Sequence, residues 1–308
     1  MGVRYDKQTH ESADGGSAQG EQVQRTEFVN GKAKLGRFSF VHYSLQIPRE
    51  AHDDTLEIHV NGFGAAKPSY RGVRKASAEA GQISASMRPA RGTTVGDLAH
   101  PTTLFHAEEY ESESVLAVME DIERRFGLSR VKLRSHSMGG RAGVAAAEAA
   151  PEKIENVTLV NAAGLEPHSL FTMAARLPRF VNTNVRPHMG MLYQEFHEPQ
   201  VIIDFARYAI QNPLRTAAEA VSICRADIRD RVRQLGARGV AVSIIDAQAD
   251  SLLPNKTVES TLGPDVQYYS MHPNPEIGHL GPQTHPKEMV DEYRLADQAV
   301  LARLDKVS

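Results

Sequence analysis

Hydrophobic and polar positions along this chain follow two periods that take turns. Short runs rich in β-branched and aliphatic residues recur at Thr55–Val60 (TLEIHV), Gln82–Met87, from Val131 onward, at Ile154–Asn161, at Gly239–Asp246 (GVAVSIID) and at Asp265–Met271 (DVQYYSM). GVAVSIID is apolar almost throughout, the pattern of a strand covered on both faces of a parallel sheet. Between these runs the spacing becomes helical. In Glu108–Phe126 the residues Tyr110, Val115, Val118, Ile122 and Phe126 fall on one stripe, and Gly127 supplies the stop. Tyr70–Ala80 and the Ala-rich stretch after Gly139 read as further helices. Upstream, Phe28–Ile47 alternates about an Asn30-Gly31 pair, which predicts an antiparallel hairpin or meander turning at that pair.

Strands alternating with helices predict an α/β fold: a mostly parallel sheet with helices on both faces and a site at the carboxyl ends of the strands. Residues 164–238 break the alternation. Helices are expected there at Gln200–Gln211 and Leu214–Leu235, with a less regular part from Phe171 to Phe196 that is dense in Met and aromatic residues, Met189 and Met191 among them. Such residues either line an adaptable apolar pocket or pack the insertion onto the sheet. Residues 1–25 are polar and rich in Gly, Ser, Gln and Glu, so they are expected to form a disordered tail. The expected organisation is therefore a tail at 1–25, a core domain at 26–163 and 239–308, and a helical insertion at 164–238.

Composition narrows the function classes. At 308 residues with 41% hydrophobic and 24% charged content, the chain can bury a sizeable core as a globular protein. A net charge of −3 with both signs interspersed gives no electrostatic support for nucleic-acid binding. No run approaches the roughly twenty apolar residues that span a bilayer, so no membrane role is expected. Cys224 is the single cysteine, and the start of the chain carries no apolar signal core, which makes the cytoplasm the expected setting. No HExxH is present, His100 and His106 lie on a proline-led loop, and no GxGxxG or P-loop lysine follows a strand. Neither a metal nor a cofactor is expected.

Four segments carry candidate chemistry. Val131–Gly143 (VKLRSHSMGGRAG) runs from strand to small-residue helix with Ser137 at the corner, where a nucleophile elbow would sit; a solvated turn is the plain alternative. After TLEIHV comes Asn61-Gly62-Phe63-Gly64, either an ordinary glycine turn or a loop whose amides point into a cavity. In the second case the Phe63 and Met138 N–H groups are the candidate oxyanion donors. Asp250 lies on the loop beyond GVAVSIID and is preferred as an acid to Asp246 at the strand's end. Beyond DVQYYSM, the loop HPNPEIGHLGPQTHP holds His272, His279 and His285. His279, between Gly278 and Gly281, is the preferred base, because the other two each precede proline in extended segments.

Serine, aspartate and histidine in that chain order, each on a loop after a strand, resemble the α/β-hydrolases. The resemblance covers roughly residues 27 to 305 and rests on NGFG, SHSMGG, the DxxxP beginning at Asp250 and GHxGPxxHP. It implies a Ser137, Asp250, His279 triad, backbone oxyanion donors at Phe63 and Met138, and an inserted helical cap at 164–238. Ser135 departs from the usual first glycine of GxSxG, which bears on how tightly the elbow turns. The implied activity is a serine hydrolase acting through an acyl-enzyme on a small or medium hydrophobic acyl or aryl compound, most simply a carboxylic ester. The same residues serve amides, lactones, carbon–carbon cleavage or acyl transfer, and a slow or inactive ligand-binding receptor is the reading from another class. Oligomeric state is not legible.

Overall fold

The computed structural model describes residues 27–35, 39–62, 67–88, 107–186, 210 and 213–304. Its centre is an 8-stranded sheet in the order β1-β2-β4-β3-β5-β6-β7-β8. The strands are β1 (Glu27–Leu35), β2 (Ser39–Ile47), β3 (Leu56–Val60), β4 (Ile83–Arg88), β5 (Val131–His136), β6 (Ile154–Val160), β7 (Ala241–Ala247) and β8 (Tyr268–His272). Only β2 runs against its neighbours; every pairing from β4 to β8 is parallel. The expected α/β architecture is the observed one.

Successive strand residues feed opposite faces, as the period of two requires. Leu159 and Ile244 join one buried cluster, and their neighbours Val160 and Ile245 join the other. The first cluster is covered by α2 (Ala107–Phe126), α3 (Gly139–Ala149) and α6 (Arg229–Ala237), whose Val115, Val118, Ile122, Val144, Val232 and Leu235 are buried in it. The second is covered by α1 (Arg71–Glu79) and α9 (Pro286–Leu304), which also touch each other and supply Val73, Met289 and Tyr293. The first face of the sheet is thus apolar, whereas the second sets Val160, Ile245 and Ala247 beside buried polar strand residues such as His59, Ser84, Ser86 and Ser243.

Two strand positions on the second face, Arg134 and Glu57, are charged and buried. Arg134 in β5 is buried, and its guanidinium donates to Glu57 in β3 at 2.6 Å, to Thr158 in β6 at 2.7 Å and to Asp297 in α9 at 2.7 Å. Lys132 and Asn156 also donate to Asp297, each at 3.1 Å. Three strands and a helix are therefore pinned by one charged cluster, in which Glu57 Oε2 is buried without a hydrogen-bond partner among the described residues. Removing a single partner from a buried pair costs about 3–5 kcal/mol, because the remaining charge is left in a medium that cannot solvate it.

Three expectations fail. Asn30-Gly31 does not turn the chain: it lies inside β1, paired with Ser44 and Tyr43, in a ladder that runs on to the Leu35–Ser39 pair. The Tyr43 ring occupies the space over Gly31 where a side chain would stand, and Ser44 Oγ donates to Asn30 Oδ1 at 3.0 Å; packing, not a turn, uses these two residues. The single helix expected at Leu214–Leu235 is two, α5 (Pro213–Arg225) and α6, because Ile228 leaves the helical path to bury in the core and donate its N–H to Gly164 O at 3.0 Å. The stretch from Phe171 is not irregular either: α4 (Leu170–Phe180) starts at Ser169, whose Oγ caps the Thr172 amide, and continues into a π turn at Val181–Val185. None of its residues is fully buried and Phe171 is 84% exposed, and Pro178 stands inside it, a residue that in sequence argues against a continuous helix. Two short helices, α7 (Val258–Leu262) and α8 (Gly281–Thr284), complete the set. The tail at 1–25, the helix at Gln200–Gln211 apart from Ile210, and Met189 and Met191 fall outside the described residues.

Candidate active site

All the strand ends that matter open on the same edge of the sheet: β3 into Asn61-Gly62, β5 into Ser137, β6 into Asn161, β7 into the Asp250 loop and β8 into the His279 loop. Ser137 has φ +55°, the left-handed region that a residue with a side chain enters only under constraint, at a cost on the order of 1–3 kcal/mol. Its backbone is fully engaged. The amide donates to Val160 O at 3.0 Å, and the carbonyl accepts from Gly140 N and Ala163 N, each at 3.0 Å. Met138 follows as the N-cap of α3, at the end of a helix where backbone amides have no intrahelical acceptor.

The non-glycine at the elbow's first small position has a structural answer. Ser135 is buried in β5, and α3 places Gly143 directly against it: a Cβ there would overlap Ser135 Oγ and lie 2.9 Å from Ser135 Cβ. The bulk that the strand gains at Ser135 is thus removed from the facing helix. Ser135 Oγ is buried with no hydrogen-bond partner among the described residues.

Ser137, His279 and Asp250 meet. Ser137 Oγ lies 2.9 Å from His279 Nε2, and His279 Nδ1 lies 2.7 Å from Asp250 Oδ2. All three side chains are buried. The second carboxylate oxygen, Asp250 Oδ1, accepts the amides of Leu252 at 2.8 Å and Leu253 at 2.9 Å. Burial alone would raise the Asp250 pKa, but the His279 ring beside it and those two amides outweigh burial and hold the carboxyl below its ordinary value. A carboxylate in this state accepts the Nδ1 proton and leaves Nε2 of a neutral ring free to accept the serine proton.

The rival residues sit elsewhere. Asp246 Oδ1 accepts from Asn255 Nδ2 at 2.7 Å, and burial pushes its pKa up to about 8, so it is a neutral acid around pH 7. His272 lies 3.9 Å from Glu292, and His285 pairs with Thr284 at 2.9 Å and lies 3.9 Å from Glu276. Phe63 is outside the described residues. Around the triad, the Phe180 ring stands edge-on to His279 with centroids 5.9 Å apart. Met138, Ala163, Ile223 and Leu253 form a small buried cluster that Met173 and Leu252 extend.

Sequence reasoning passed over three residues that touch this arrangement. His136 and Tyr70 pair at 2.7 Å, and His136 Nε2 reaches His279 O at 2.6 Å. Asn161, at φ +44°, donates to Gly278 O at 3.1 Å and accepts the Ala247 amide at 2.8 Å. An asparagine straight after an apolar strand is the available signal for the last, since Asn tolerates the left-handed region better than most residues.

A family model described as the alpha/beta hydrolase fold matches residues 62–201, the stretch that holds the Ser137 elbow. The chain is an α/β-hydrolase-fold protein. Solved structures with this fold agree over nearly the whole chain. Bromoperoxidase from Bacillus anthracis superposes with a TM-score of 0.61 at 17% identity, covering 88% of this chain and 100% of that one. The 2-hydroxy-6-oxo-6-phenylhexa-2,4-dienoate hydrolase of Rhodococcus sp. strain RHA1 gives 0.61 at 17%, covering 89% and 99%. An esterase from Thermogutta terrifontis gives 0.59 at 16%, covering 88% and 99%. No curated protein sequence matches the chain. At these identities the likeness is one of fold, and the chemistry of this chain must be argued from its own residues. Among the described residues no group of three His, Cys, Asp or Glu is placed to hold a metal, and no helix is long and apolar enough to cross a membrane.

Proposed function

We propose that this chain is a serine hydrolase that cleaves a carboxylic ester of a small or medium hydrophobic acyl or aryl compound, with Ser137 as nucleophile, His279 as general base and acid, and Asp250 as the orienting carboxylate. The observation that carries the reading is the unbroken chain from Ser137 Oγ through His279 to Asp250, at 2.9 and 2.7 Å, in a buried setting. Ser137 Oγ attacks the acyl carbon while His279 Nε2 takes its proton; the ester C–O bond then breaks as that proton passes to the leaving alkoxide. Water, deprotonated by the same nitrogen, releases the acid and restores the serine. The Met138 amide, with that of Phe63, is assigned to the oxyanion of both tetrahedral intermediates; one such donor is typically worth about 2.7–4 kcal/mol.

The apolar surroundings favour an uncharged acyl group, since Phe180, Met138, Met173 and Leu253 offer the reacting carbon no counter-ion. We take residues 164–238 as the insertion that shapes this pocket, with α4 and α5 as its outer part and α6 as the piece packed into the core. An intact triad favours turnover over the receptor reading. Hydrolysis of a panel of chromogenic acyl esters of increasing chain length, with Ser137→Ala as control, tests the proposal; hydrolysis of none, or equal hydrolysis by the alanine variant, overturns it.

A further inference from the structure

His136 and Tyr70 belong to no step of that mechanism, yet both are buried against it. Their hydrogen bonds have one consistent direction. His136 Nε2 faces the His279 carbonyl at 2.6 Å, which accepts only, so Nε2 carries the proton. The other nitrogen, Nδ1, therefore accepts, and the Tyr70 hydroxyl 2.7 Å away donates to it. The Tyr70 oxygen in turn accepts the Gly62 amide at 3.4 Å. Burial, with His279 close by, pushes the His136 pKa down to about 3, consistent with a ring that stays neutral with one fixed tautomer. Gly62 closes the other side: a Cβ there would stand 2.9 Å from Ser137 Cβ and 3.1 Å from His136 Nδ1.

We propose that His136, held in one tautomer by Tyr70, is a positioning residue that hangs the base loop from the nucleophile elbow and ties it to the loop after β3. His136 is bonded directly to Ser137, and it grips the backbone of the residue whose ring must reach Ser137 Oγ. His136 is therefore a one-residue tie between base and nucleophile. Asn161 steadies the same loop from β6 by donating to Gly278 O at 3.1 Å. His136 transfers no proton, because its acceptor is a carbonyl and its donor is a phenol. This inference rests on the triad proposed above.

The test is a double-mutant cycle read by the rate at which a fluorophosphonate labels Ser137, alongside steady-state ester hydrolysis. His136→Leu removes both hydrogen bonds; His136→Gln keeps a donor for the His279 carbonyl; Tyr70→Phe frees the imidazole tautomer. With His279 in place, His136→Leu is expected to lower kcat and the labelling rate on the order of 10- to 100-fold with KM nearly unchanged, the scale of a small misplacement of a reacting group. His136→Gln is expected to recover most of this, and Tyr70→Phe to fall between. In the His279→Ala background His136→Leu is expected to change the residual labelling rate less than about twofold, because the residue it positions is gone. An equal loss in both backgrounds, or a loss confined to KM or to thermal stability, overturns the inference. If His136→Leu fails to fold, the His136→Gln and Tyr70→Phe cycles carry the same comparison. Full activity of His279→Ala alone would instead overturn the triad itself, so the two failures are distinguishable.

Discussion

The elbow's unusual pair, Ser135 facing Gly143, invites a perturbation whose magnitude follows from the packing. Gly143→Ala alone places a methyl into Ser135 Oγ and within 2.9 Å of its Cβ, inside a buried strand-helix contact. Overpacking of this kind costs about 1–3 kcal/mol, offset by about 1 kcal/mol from replacing glycine by alanine in a helix, so the net loss is about 0–2 kcal/mol. Ser135→Gly alone removes a buried hydroxyl that has no partner, worth about 1–3 kcal/mol, and costs about 0.5–1 kcal/mol for glycine in a strand, a net gain of about 0–2.5 kcal/mol. In the double variant the new methyl meets only Val157 Cγ1, at 3.9 Å, and the helix gain is realised in full. The coupling between the sites is then the relieved overlap, about 1–3 kcal/mol, read as non-additive midpoints in urea denaturation at a common slope. Additivity within about 0.5 kcal/mol would refute the account of how this elbow tolerates a serine.

Other outcomes follow from the charged groups. Asp250→Asn is expected to cripple ester turnover while Asp246→Asn leaves most of it, since only Asp250 reaches His279 Nδ1; steady-state kinetics with the reverse ranking would move the acid. Asp246 carries a folded-state pKa of about 8 against an ordinary 3.8, so the folded protein holds a proton that the unfolded one has lost, and stability falls as pH rises from about 4 to about 8. Asp246→Asn should flatten that decline and raise the melting temperature at pH 8; an unchanged profile would contradict it. Asp250 has the opposite sign: its depressed pKa contributes stability above pH 3.8 that is lost as pH falls through the folded value, a loss that an acid titration of Asp250→Asn should lack. Asp297→Ala strips Arg134 and Lys132 of a shared partner and is expected to destabilise by about 3–5 kcal/mol by thermal or urea unfolding. A loss under 1 kcal/mol would mean that Glu57 alone suffices.

The sheet and the meeting of Ser137, Asp250 and His279 were legible because each has a local signature: apolar runs for the strands, and small residues or a short loop at each strand's carboxyl end for the three side chains. What was not legible depends on contacts between distant segments. Nothing near residue 30 reveals that Tyr43 covers Gly31, so a pair that favours turns was read as one. Nothing near Leu214 reveals that Ile228 is drawn to Gly164 O, which splits the helix. His136 and Tyr70 are 66 residues apart, and their role exists only once β5 and the segment after β3 are neighbours. For α4 the local signals conflict: its apolar residues have helical spacing, but Pro178 inside the run argues against a helix.

The central claim is that Ser137 is a nucleophile activated by His279. Mass spectrometry of the full chain after reaction with a fluorophosphonate tests it most directly. The account predicts one adduct, on Ser137, formed rapidly in the unmodified protein, slowed by orders of magnitude in His279→Ala and absent in Ser137→Ala; an adduct on another residue, or labelling of Ser137 at the same rate without His279, would contradict it.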